Sequence, residues 1–233
     1  LAYEDADLEL YQIVATLDLR TSEICREMDG KVFPVAKMQS GENAPPFHPF
    51  CRTTTVAYFE DDDLAALKRR ARNPLTGQNE LVPADTTYAK WYEKNVAHDP
   101  KAQAIEKAIR NWGADQKQYE RYKNIIGMAA GKTFADFQEM KYNKPERWNG
   151  AQIRYKDAKL QNKLREMAES LQVHSGKQGK HIVGHNNFIK GRSYLTISED
   201  EVLKLVREKS GTGKIIRSKD GKYLSKEKIK VKE

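Results

Sequence analysis

The stretch that decides the N-terminal fold reads DLRTSEICREMDG at residues 18–30 and APPFHPFCRT at residues 44–53. It contains both cysteines of the chain, Cys25 and Cys51, and three of its eight prolines. Dense Pro and Gly without hydrophobic periodicity predict an irregular loop that is held by specific contacts. We expect Cys25 on a helix-like segment, and Asp29-Gly30 in a turn before a short strand.

Two soft ligands, His48 and Cys51, share one tight turn in this stretch. Together with Cys25 they are candidate ligands for a structural zinc ion, because zinc accepts sulfur and imidazole nitrogen. The fourth ligand would be Asp18, Asp29 or water. Two other interpretations stay open: a buried structural Cys51 beside a hydrogen-bonded His48, or a disulfide between Cys25 and Cys51, which a reducing cytosol would disfavour.

Length and polarity set broad limits on the protein. Its 233 residues suffice for one or two domains with a sizeable core. Charged residues make up 32% of the chain and the mean hydropathy is −0.81, which is typical of a polar, soluble protein. We find no apolar run of membrane-spanning length and no signal peptide, so we expect no membrane partner.

Charge divides the chain into a balanced part and a basic part. Residues 174–233 carry 15 Lys and Arg against 7 Asp and Glu, a net charge of +8 that equals the net charge of the whole chain. This shift predicts a separate C-terminal unit that suits a polyanion such as nucleic acid. A solvated lysine-rich surface would explain the same charge.

Between these parts, residues 61–150 predict a helical connector. An acidic run at residues 60–63 is expected to begin a short helix from Leu64 to Ala71, where negative charge is favoured. A turn-rich linker from Asn73 to Pro83 follows, and then amphipathic helices over residues 84–150. Their Trp, Tyr and Phe residues recur at spacings of three and four, which predicts helix packing rather than base stacking.

The last segment, residues 151–233, predicts a small α+β domain with an antiparallel sheet. The elements expected here are a helix after Pro145 with an apolar seam of Leu160, Leu164, Met167 and Leu171, a short strand at residues 181–183, a helix opened by a capping box at residues 198–201, and strands at residues 214–217, 222–224 and 228–232 around a turn at Asp220-Gly221. The fold class expected for the whole chain is therefore α+β.

The N-terminal residues in the order 18–21, Cys25, Asp29-Gly30 and 45–52 resemble the end of the phage head morphogenesis (Mu F-like) minor head protein family. The resemblance covers residues 1–60. It implies a virion protein inside the capsid near the portal, which acts in head assembly with portal and capsid proteins as partners. Because that family normally has a larger preceding part, we expect this chain to be a fragment.

The C-terminal stretches GKHIVGHNN (residues 179–187), GRSYLTIS (191–198) and GTGK (211–214) closely resemble the type 50 polymorphic toxin domain. That family is similar to the barnase, EndoU, colicin and RelE-like ribonucleases, which need no metal, and its members occur fused to minor head proteins. The resemblance implies an RNA substrate, an immunity protein and a site of action in the host cytoplasm. Since its members continue into further strands, we expect the domain to be truncated here.

Metal-independent RNA cleavage suits the residues of this segment. A base activates the 2′-OH against the neighbouring phosphate, and the product is a 2′,3′-cyclic phosphate. His181 is the candidate base or acid because its unperturbed pKa lies near neutrality, and His185 is a second candidate. The other candidate groups are Lys180, Ser193 and Thr196 at the reacting phosphate and Arg192, Lys214 and Lys222 for RNA binding.

Two function classes follow from the sequence. One is a minor head protein that carries a ribonuclease toxin-like domain with no catalytic cofactor, whether or not this fragment is active. The other is a purely structural head-assembly protein whose basic tail binds packaged DNA without catalysis. In either class, each candidate residue also has an ordinary interpretation as a packed histidine or a surface charge.

Overall fold

The computed structural model describes residues 3, 6–59, 67–217 and 223–226. The chain divides into two compact units, Leu1–Lys117 and Gln118–Glu233. Within the described ranges, helices are combined with small antiparallel sheets, so the α+β prediction is confirmed. No helix in these ranges is long and apolar enough to cross a membrane.

A three-stranded antiparallel sheet forms the start of the first unit. Its strands are β1 (Leu10–Val14) in the centre, flanked by β2 (Val32–Pro34) and β3 (Thr54–Tyr58), and the helix α1 (Glu23–Met28) lies between β1 and β2 in the chain. Tyr11 and Ile13 alternate with half-exposed neighbours on β1 and are fully buried. They pack with Val35 and Ala44, so the irregular loop contributes directly to this core.

The hairpin β4 (Lys68–Arg72) and β5 (Asn79–Pro83) replaces two predicted elements. The helix expected from Leu64 to Ala71 is wrong over its described part. The turn-rich linker expected over residues 73–83 is correct for the turn after Asn73 but wrong from Asn79 on, where β5 begins. Lys, Arg, Ala and Leu favour helices, but here tertiary pairing overrides that propensity. Ala71 is buried and forms a bridge with Leu17, and the N–H of Arg72 donates to the carbonyl of Leu17 at 2.9 Å.

Helices complete the core of the first unit. They are α2 (Tyr88–Tyr92), a π-helical turn (Glu93–Ala97) and α3 (Pro100–Arg110). Thr87 caps α2, and its side chain accepts the N–H of Lys90. Trp91 and Val96 are buried with Leu17 and Leu19 in one cluster, so the segment around residue 18 lies against these helices.

The second unit begins with aromatic helix packing. Its helices are the second half of α4 (Trp112–Ile126), a 3₁₀ turn (Gly127–Ala130), α5 (Phe134–Asn143) and α6 (Pro145–Glu169). Tyr122 stacks on Tyr155 with ring centroids 4.1 Å apart, and Phe137 is fully buried beside them. These aromatic residues therefore pack between helices, as predicted.

The last described segment consists of a long loop, α7 (Glu199–Lys209) and a hairpin of β6 (Lys214–Arg217) and β7 (Tyr223–Lys226). The capping box at Ser198 and Glu201 is confirmed. The strand predicted at residues 181–183 is wrong: a 3₁₀ turn (Gly179–His181) leads into a single bridge between Ile182 and Leu195.

The predicted seam of α6 is only partly correct. Leu160 and Leu164 are half-buried, whereas Met167 is exposed and Ala168 is buried in its place. The acidic run at residues 60–63, the turn at Asp220-Gly221 and the strand expected at residues 228–232 lie outside the described residues.

Candidate functional site

Cys25 and the turn at residues 48–51 meet in the first unit. Ser22 caps α1 and its Oγ accepts the N–H of Cys25 at 3.4 Å, which fixes the start of the helix. The N–H of Cys51 donates to the carbonyl of His48 at 3.2 Å and closes the turn. Phe50 takes the left-handed conformation with φ of 60° and is 98% exposed, so the turn presents its aromatic ring to solvent.

The three predicted ligands come together. The Sγ of Cys25 lies 3.2 Å from Nε2 of His48 and 3.6 Å from Sγ of Cys51. No two ligand atoms of the three side chains are more than 4.8 Å apart. Both cysteines are free thiols, so the disulfide left open as an alternative is not formed in this described cluster. Cys25 is the buried cysteine and Cys51 is half-buried, the reverse of the buried-Cys51 interpretation.

The ring of His48 has a defined tautomer. Its Nδ1 lies 2.8 Å from the carbonyl oxygen of Pro49, which can only accept, so Nδ1 carries the proton and donates it. The lone pair is therefore on Nε2, which faces the Sγ of Cys25. This arrangement is how a metal-binding histidine is usually oriented by a second hydrogen bond.

Cys51 has an altered acidity. Burial raises the pKa of its thiol, but backbone hydrogen bonds at Phe47 and Thr53, the Thr53 hydroxyl and the Cys25 thiol outweigh burial and lower the pKa to about 7. A thiol with this pKa is largely thiolate at slightly alkaline pH, which is the form that binds metal ions and acts as a nucleophile.

Neither predicted carboxylate completes this cluster. Asp18 accepts two hydrogen bonds from Arg52, at 2.5 and 2.8 Å. Asp29 accepts from Arg69 and from the N–H groups of Ala15 and Tyr88, the last two at 2.6 Å. The carboxylate of Asp18 therefore ties the two ends of this stretch together. That of Asp29 ties the stretch to β4 and α2.

Sequence reasoning missed one neighbour of the cluster. The Oγ of Ser22 lies 2.8 Å from Nε2 of His48. Ser22 also lines a small cavity of about 40 Å³ next to Cys25, His48 and Arg52. The signal available in the sequence was the position of Ser22 directly before the helix-like segment, where serine is a preferred cap.

In the second unit, His181 ends the 3₁₀ turn and is held by backbone contacts. Its carbonyl accepts the N–H of Leu195 at 2.7 Å, and the carbonyl of Leu195 accepts the N–H of Val183 at 3.2 Å. The Nδ1 of His181 donates to the carbonyl of Ser193 at 2.6 Å. The lone pair of the neutral ring is therefore on Nε2, the nitrogen that can accept a proton.

His185 has the opposite tautomer. Its Nδ1 accepts the N–H of Asn187 at 3.0 Å, so Nε2 carries the proton, 3.7 Å from a carboxylate oxygen of Glu199. The ring is only 11% exposed and lies directly on Gly179, where a Cβ would approach its Cε1 to 2.2 Å. The two histidines therefore differ in which nitrogen is protonated.

Four of the other predicted residues, Lys180, Arg192, Ser193 and Thr196, lie in the same loop as His181, and Lys214 lies beyond it. The carbonyl of half-buried Lys180 accepts the N–H of Ile189 at 3.2 Å. The exposed candidates in this loop are Arg192, Ser193 and Thr196. Lys214 begins β6, and Lys222 lies outside the described residues.

Two features near His181 were not predicted. Phe188 and Tyr194 form an edge-to-face pair with centroids 5.7 Å apart, and Tyr194 is 55% exposed. His181 also lines a cavity of about 340 Å³ whose walls are mostly apolar and include Ile182, Leu195 and Val202. The sequence signal for the first feature was an aromatic residue, Tyr194, directly after Arg192-Ser193.

Comparisons with known proteins agree with these two regions. Residues 2–56 match the family model of Phage Mu protein F like protein, and residues 173–233 match the family model Bacterial toxin 50. Neither the curated proteins nor the solved structures contain a significant match. Both resemblances predicted from the sequence are confirmed: the chain joins a segment similar to Phage Mu protein F to a segment similar to bacterial toxin 50.

Proposed function

We propose that this protein is a phage head component that carries a metal-independent ribonuclease toxin in its C-terminal segment. The support is the order of the two family matches, at residues 2–56 and 173–233. In this proposal the protein contacts portal or capsid proteins inside the virion and acts on RNA in the host cytoplasm. A cell that produces such a toxin needs an immunity protein.

The observation that carries the ribonuclease proposal is the contact of 2.6 Å between Nδ1 of His181 and the carbonyl oxygen of Ser193. With the proton held on Nδ1 by the carbonyl of Ser193, Nε2 is free to accept the proton of a ribose 2′-OH. The O2′–P bond then forms, the P–O5′ bond breaks, and O5′ takes a proton from water. The products are a 2′,3′-cyclic phosphate and a free 5′-OH.

Charge and aromatic surface around His181 suit an RNA substrate. Lys180 precedes the base in the same 3₁₀ turn, and the exposed Arg192 follows Lys190 in the loop that closes on it. Cations at these positions stabilise the negative charge that develops on the phosphate, with hydroxyl groups of Ser193 and Thr196 as donors. The exposed ring of Tyr194 offers a face on which one base can stack.

His185 has a positioning role in this mechanism. Nδ1 of His185 already accepts the N–H of Asn187, and its side chain is only 11% exposed, so it is poorly placed to reach a substrate. Its ring instead lies against Gly179, the first residue of the turn that ends in His181. His185 therefore holds the base in place.

The test is cleavage of total RNA and of tRNA by the full chain in EDTA. The variant His181→Asn keeps an amide N–H that can donate to the carbonyl of Ser193 but removes the base. We expect cleavage to fall by about 10²–10⁴-fold, the usual contribution of a general base. His98→Asn is the matched control, because His98 is 80% exposed and lies in the first unit.

Two results would overturn the ribonuclease proposal: no cleavage by the parent chain, or cleavage that survives in His181→Asn. The expected result also includes a product whose 3′ end is a cyclic phosphate, which mass spectrometry identifies. A hydrolytic product with a 3′-OH would contradict the mechanism even if RNA were cut.

A second candidate function, DNA contact without catalysis, is favoured by a specific feature of β4. Lys68, Arg70 and Arg72 alternate along the strand and are exposed, whereas Arg69 and Ala71 point inward. Their cross-strand partners are Pro83, Leu81 and Asn79, so this face of the hairpin carries positive charge only. Such a face suits a phosphate backbone.

DNA binding is measured by fluorescence anisotropy with duplex DNA over a range of salt concentrations. We expect affinity to fall with salt, and replacement of Lys68, Arg70 and Arg72 by Gln to reduce the salt slope by about 2–3. His181→Asn should leave binding unchanged. An unchanged slope in the triple variant would contradict a role for β4.

A further inference from the structure

We propose that Cys25, His48 and Cys51 bind one zinc ion. With Zn–S bonds of about 2.3 Å and Zn–N bonds of about 2.0–2.1 Å, a tetrahedral ion sets two ligand sulfurs about 3.8 Å apart, and a sulfur and a nitrogen about 3.6 Å apart. The observed Sγ–Sγ distance is 3.6 Å and the Cys25 Sγ–His48 Nε2 distance is 3.2 Å. For these two pairs, shifts of a few tenths of an ångström make room for the ion. The ligand atoms of the third pair, Cys51 and His48, lie within 4.8 Å of each other.

The imidazole is oriented for this role before any metal arrives. The carbonyl of Pro49 holds the Nδ1 proton of His48, and the lone pair on Nε2 faces the Sγ of Cys25. Two thiolates and one neutral imidazole balance the double charge of zinc. The negative charge of the buried Cys25 thiolate is then paired with the ion, so it does not destabilise the fold.

A water molecule fits the fourth coordination position. The cavity of about 40 Å³ beside Cys25 and His48 exceeds the space that one water needs. Ser22 lines this cavity, and its hydroxyl now lies 2.8 Å from Nε2 of His48. Once the nitrogen is bound to zinc, the same hydroxyl can accept a hydrogen bond from the bound water.

The fold also explains what the ion would stabilise. Cys25 belongs to α1, whereas His48 and Cys51 belong to the irregular segment that precedes β3. Phe50, the large apolar residue between those two ligands, is 98% exposed and provides no buried anchor for the turn. A shared ion would replace the missing hydrophobic contact.

The first measurement is the zinc content of the purified full chain, with cobalt as a spectroscopic substitute. We expect one zinc per chain, and after exchange a cobalt spectrum with sulfur-to-metal charge transfer and the intense visible bands of tetrahedral coordination. Chains without stoichiometric zinc that also fail to bind added zinc or cobalt would overturn the proposal.

Variants assign the ligands. Cys51→Ser and His48→Ala should each weaken zinc binding by more than about 100-fold, since even the loss of an outer-shell partner costs 10–100-fold. His98→Ala, which removes an exposed histidine, should bind zinc like the parent. Circular dichroism checks that the variants fold, and the cobalt spectrum of the parent remains decisive where a variant does not.

A redox pair is the competing outcome. If mild oxidation joins Cys25 and Cys51 equally fast with and without added zinc, the thiols are not ligands and the proposal fails. If zinc protects both thiols from alkylation and oxidation in the parent but not in His48→Ala, the proposal is supported. Neither readout depends on ribonuclease activity, so the zinc site and the proposed function fail or succeed separately.

Discussion

Two irregular segments hold histidines in different ways. In residues 16–52, buried carboxylates and arginines fix the backbone. The carboxylate of Asp29, for example, accepts hydrogen bonds from two backbone N–H groups and from Arg69. In residues 173–197, backbone hydrogen bonds and one imidazole do most of this work, and many side chains are exposed.

The two segments are therefore sensitive to different substitutions. A buried charge network is costly to break, because removal of one partner leaves the others without compensation. A loop held by backbone contacts tolerates changes of exposed side chains but depends on positions where there is no room for a Cβ. Charge substitutions should therefore act most strongly in the first segment, and glycine substitutions in the second unit.

The largest effect is expected for Asp29→Asn. The carboxylate side chain is fully buried, and its neutral replacement leaves the guanidinium of Arg69 without a counter-charge. We expect the free energy of unfolding of the first unit to fall by about 3–5 kcal/mol. Urea unfolding measures this loss, and hydrogen exchange of the backbone amides in β1 and α2 assigns it to the first unit.

Asp85→Asn is the control for this substitution. Asp85 pairs with Lys90, but both side chains are more than half exposed. The loss should stay below about 1 kcal/mol. Equal losses for the two variants would show that the network around Asp29 does not stabilise the first segment as described.

Gly211→Ala is expected to have the next largest effect, in the second unit. Gly211 has φ of 72°, and an added Cβ would lie 2.4 Å from the backbone oxygen of Gln161 on α6. The left-handed conformation costs about 1–2 kcal/mol for alanine. The turn must also move away from α6, which adds to this cost. Thermal unfolding should therefore show that the free energy of unfolding falls by about 2–4 kcal/mol.

Gly77→Ala separates the two contributions. Gly77 has nearly the same φ, 70°, but nothing lies within 4 Å of an added Cβ. The Gly77→Ala variant should therefore lose only the cost of the left-handed conformation, about 1–2 kcal/mol. If Gly77→Ala lowered the free energy of unfolding as much as Gly211→Ala, the close approach of the turn to α6 would not contribute to the loss.

The charge of Asp18 is expected to make a smaller contribution to the free energy of unfolding, and this contribution depends on pH. Burial alone would raise the pKa of Asp18, but hydrogen bonds and charge from Arg52, with the N–H of Arg20 and the Thr21 hydroxyl, hold it below 3.8. A folded-state pKa below the unfolded one stabilises the fold at pH values above the unfolded pKa. This contribution is lost as the pH falls through the folded pKa.

Asp18→Asn isolates this contribution. Above pH 5 the variant should be less stable than the parent by on the order of 1 kcal/mol, because Arg52 is nearly half exposed and solvent weakens the pair. The difference should shrink as the pH falls below 4. A difference that stayed constant down to pH 2 would show that the Asp18 charge is not linked to folding.

The sequence predicted more of the site than of the scaffold around it. Cys25, His48 and Cys51 are rare residue types whose spacing suggested a shared cluster, and the capping box at Ser198 is a local signal. The partners of Asp18 and Asp29 were not predictable in this way. Arg69 lies 40 residues from Asp29 along the chain, and only the folded backbone brings them together.

The errors have a common physical origin. Residues 68–72 contain good helix formers, but pairing with β5 and the contact of Ala71 with Leu17 decide their structure. Similarly, Ile182 and Val183 are β-branched, but only one bridge forms because the loop returns to Leu195 for a single pair. Contacts that are distant in sequence override short local patterns.

A small effect on stability but a clear effect on cleavage is expected for Gly179→Ala. An added Cβ would lie 2.2–2.7 Å from three atoms of the His185 ring, so the imidazole must leave its place and lose the N–H of Asn187. The 3₁₀ turn that presents His181 then loses its support. We expect the free energy of unfolding to fall by about 1 kcal/mol, and RNA cleavage to fall by about tenfold or more, since small misplacements of a reacting group are costly.

Gly176→Ala is the matched control in the same loop. Its added Cβ would meet the ring of His174 at 3.7 Å, an ordinary van der Waals distance. Cleavage by this variant should equal that of the parent. If Gly179→Ala were equally active while His181→Asn was inactive, His185 would not position the base, and the backbone contacts with Leu195 and Ser193 would suffice to hold His181.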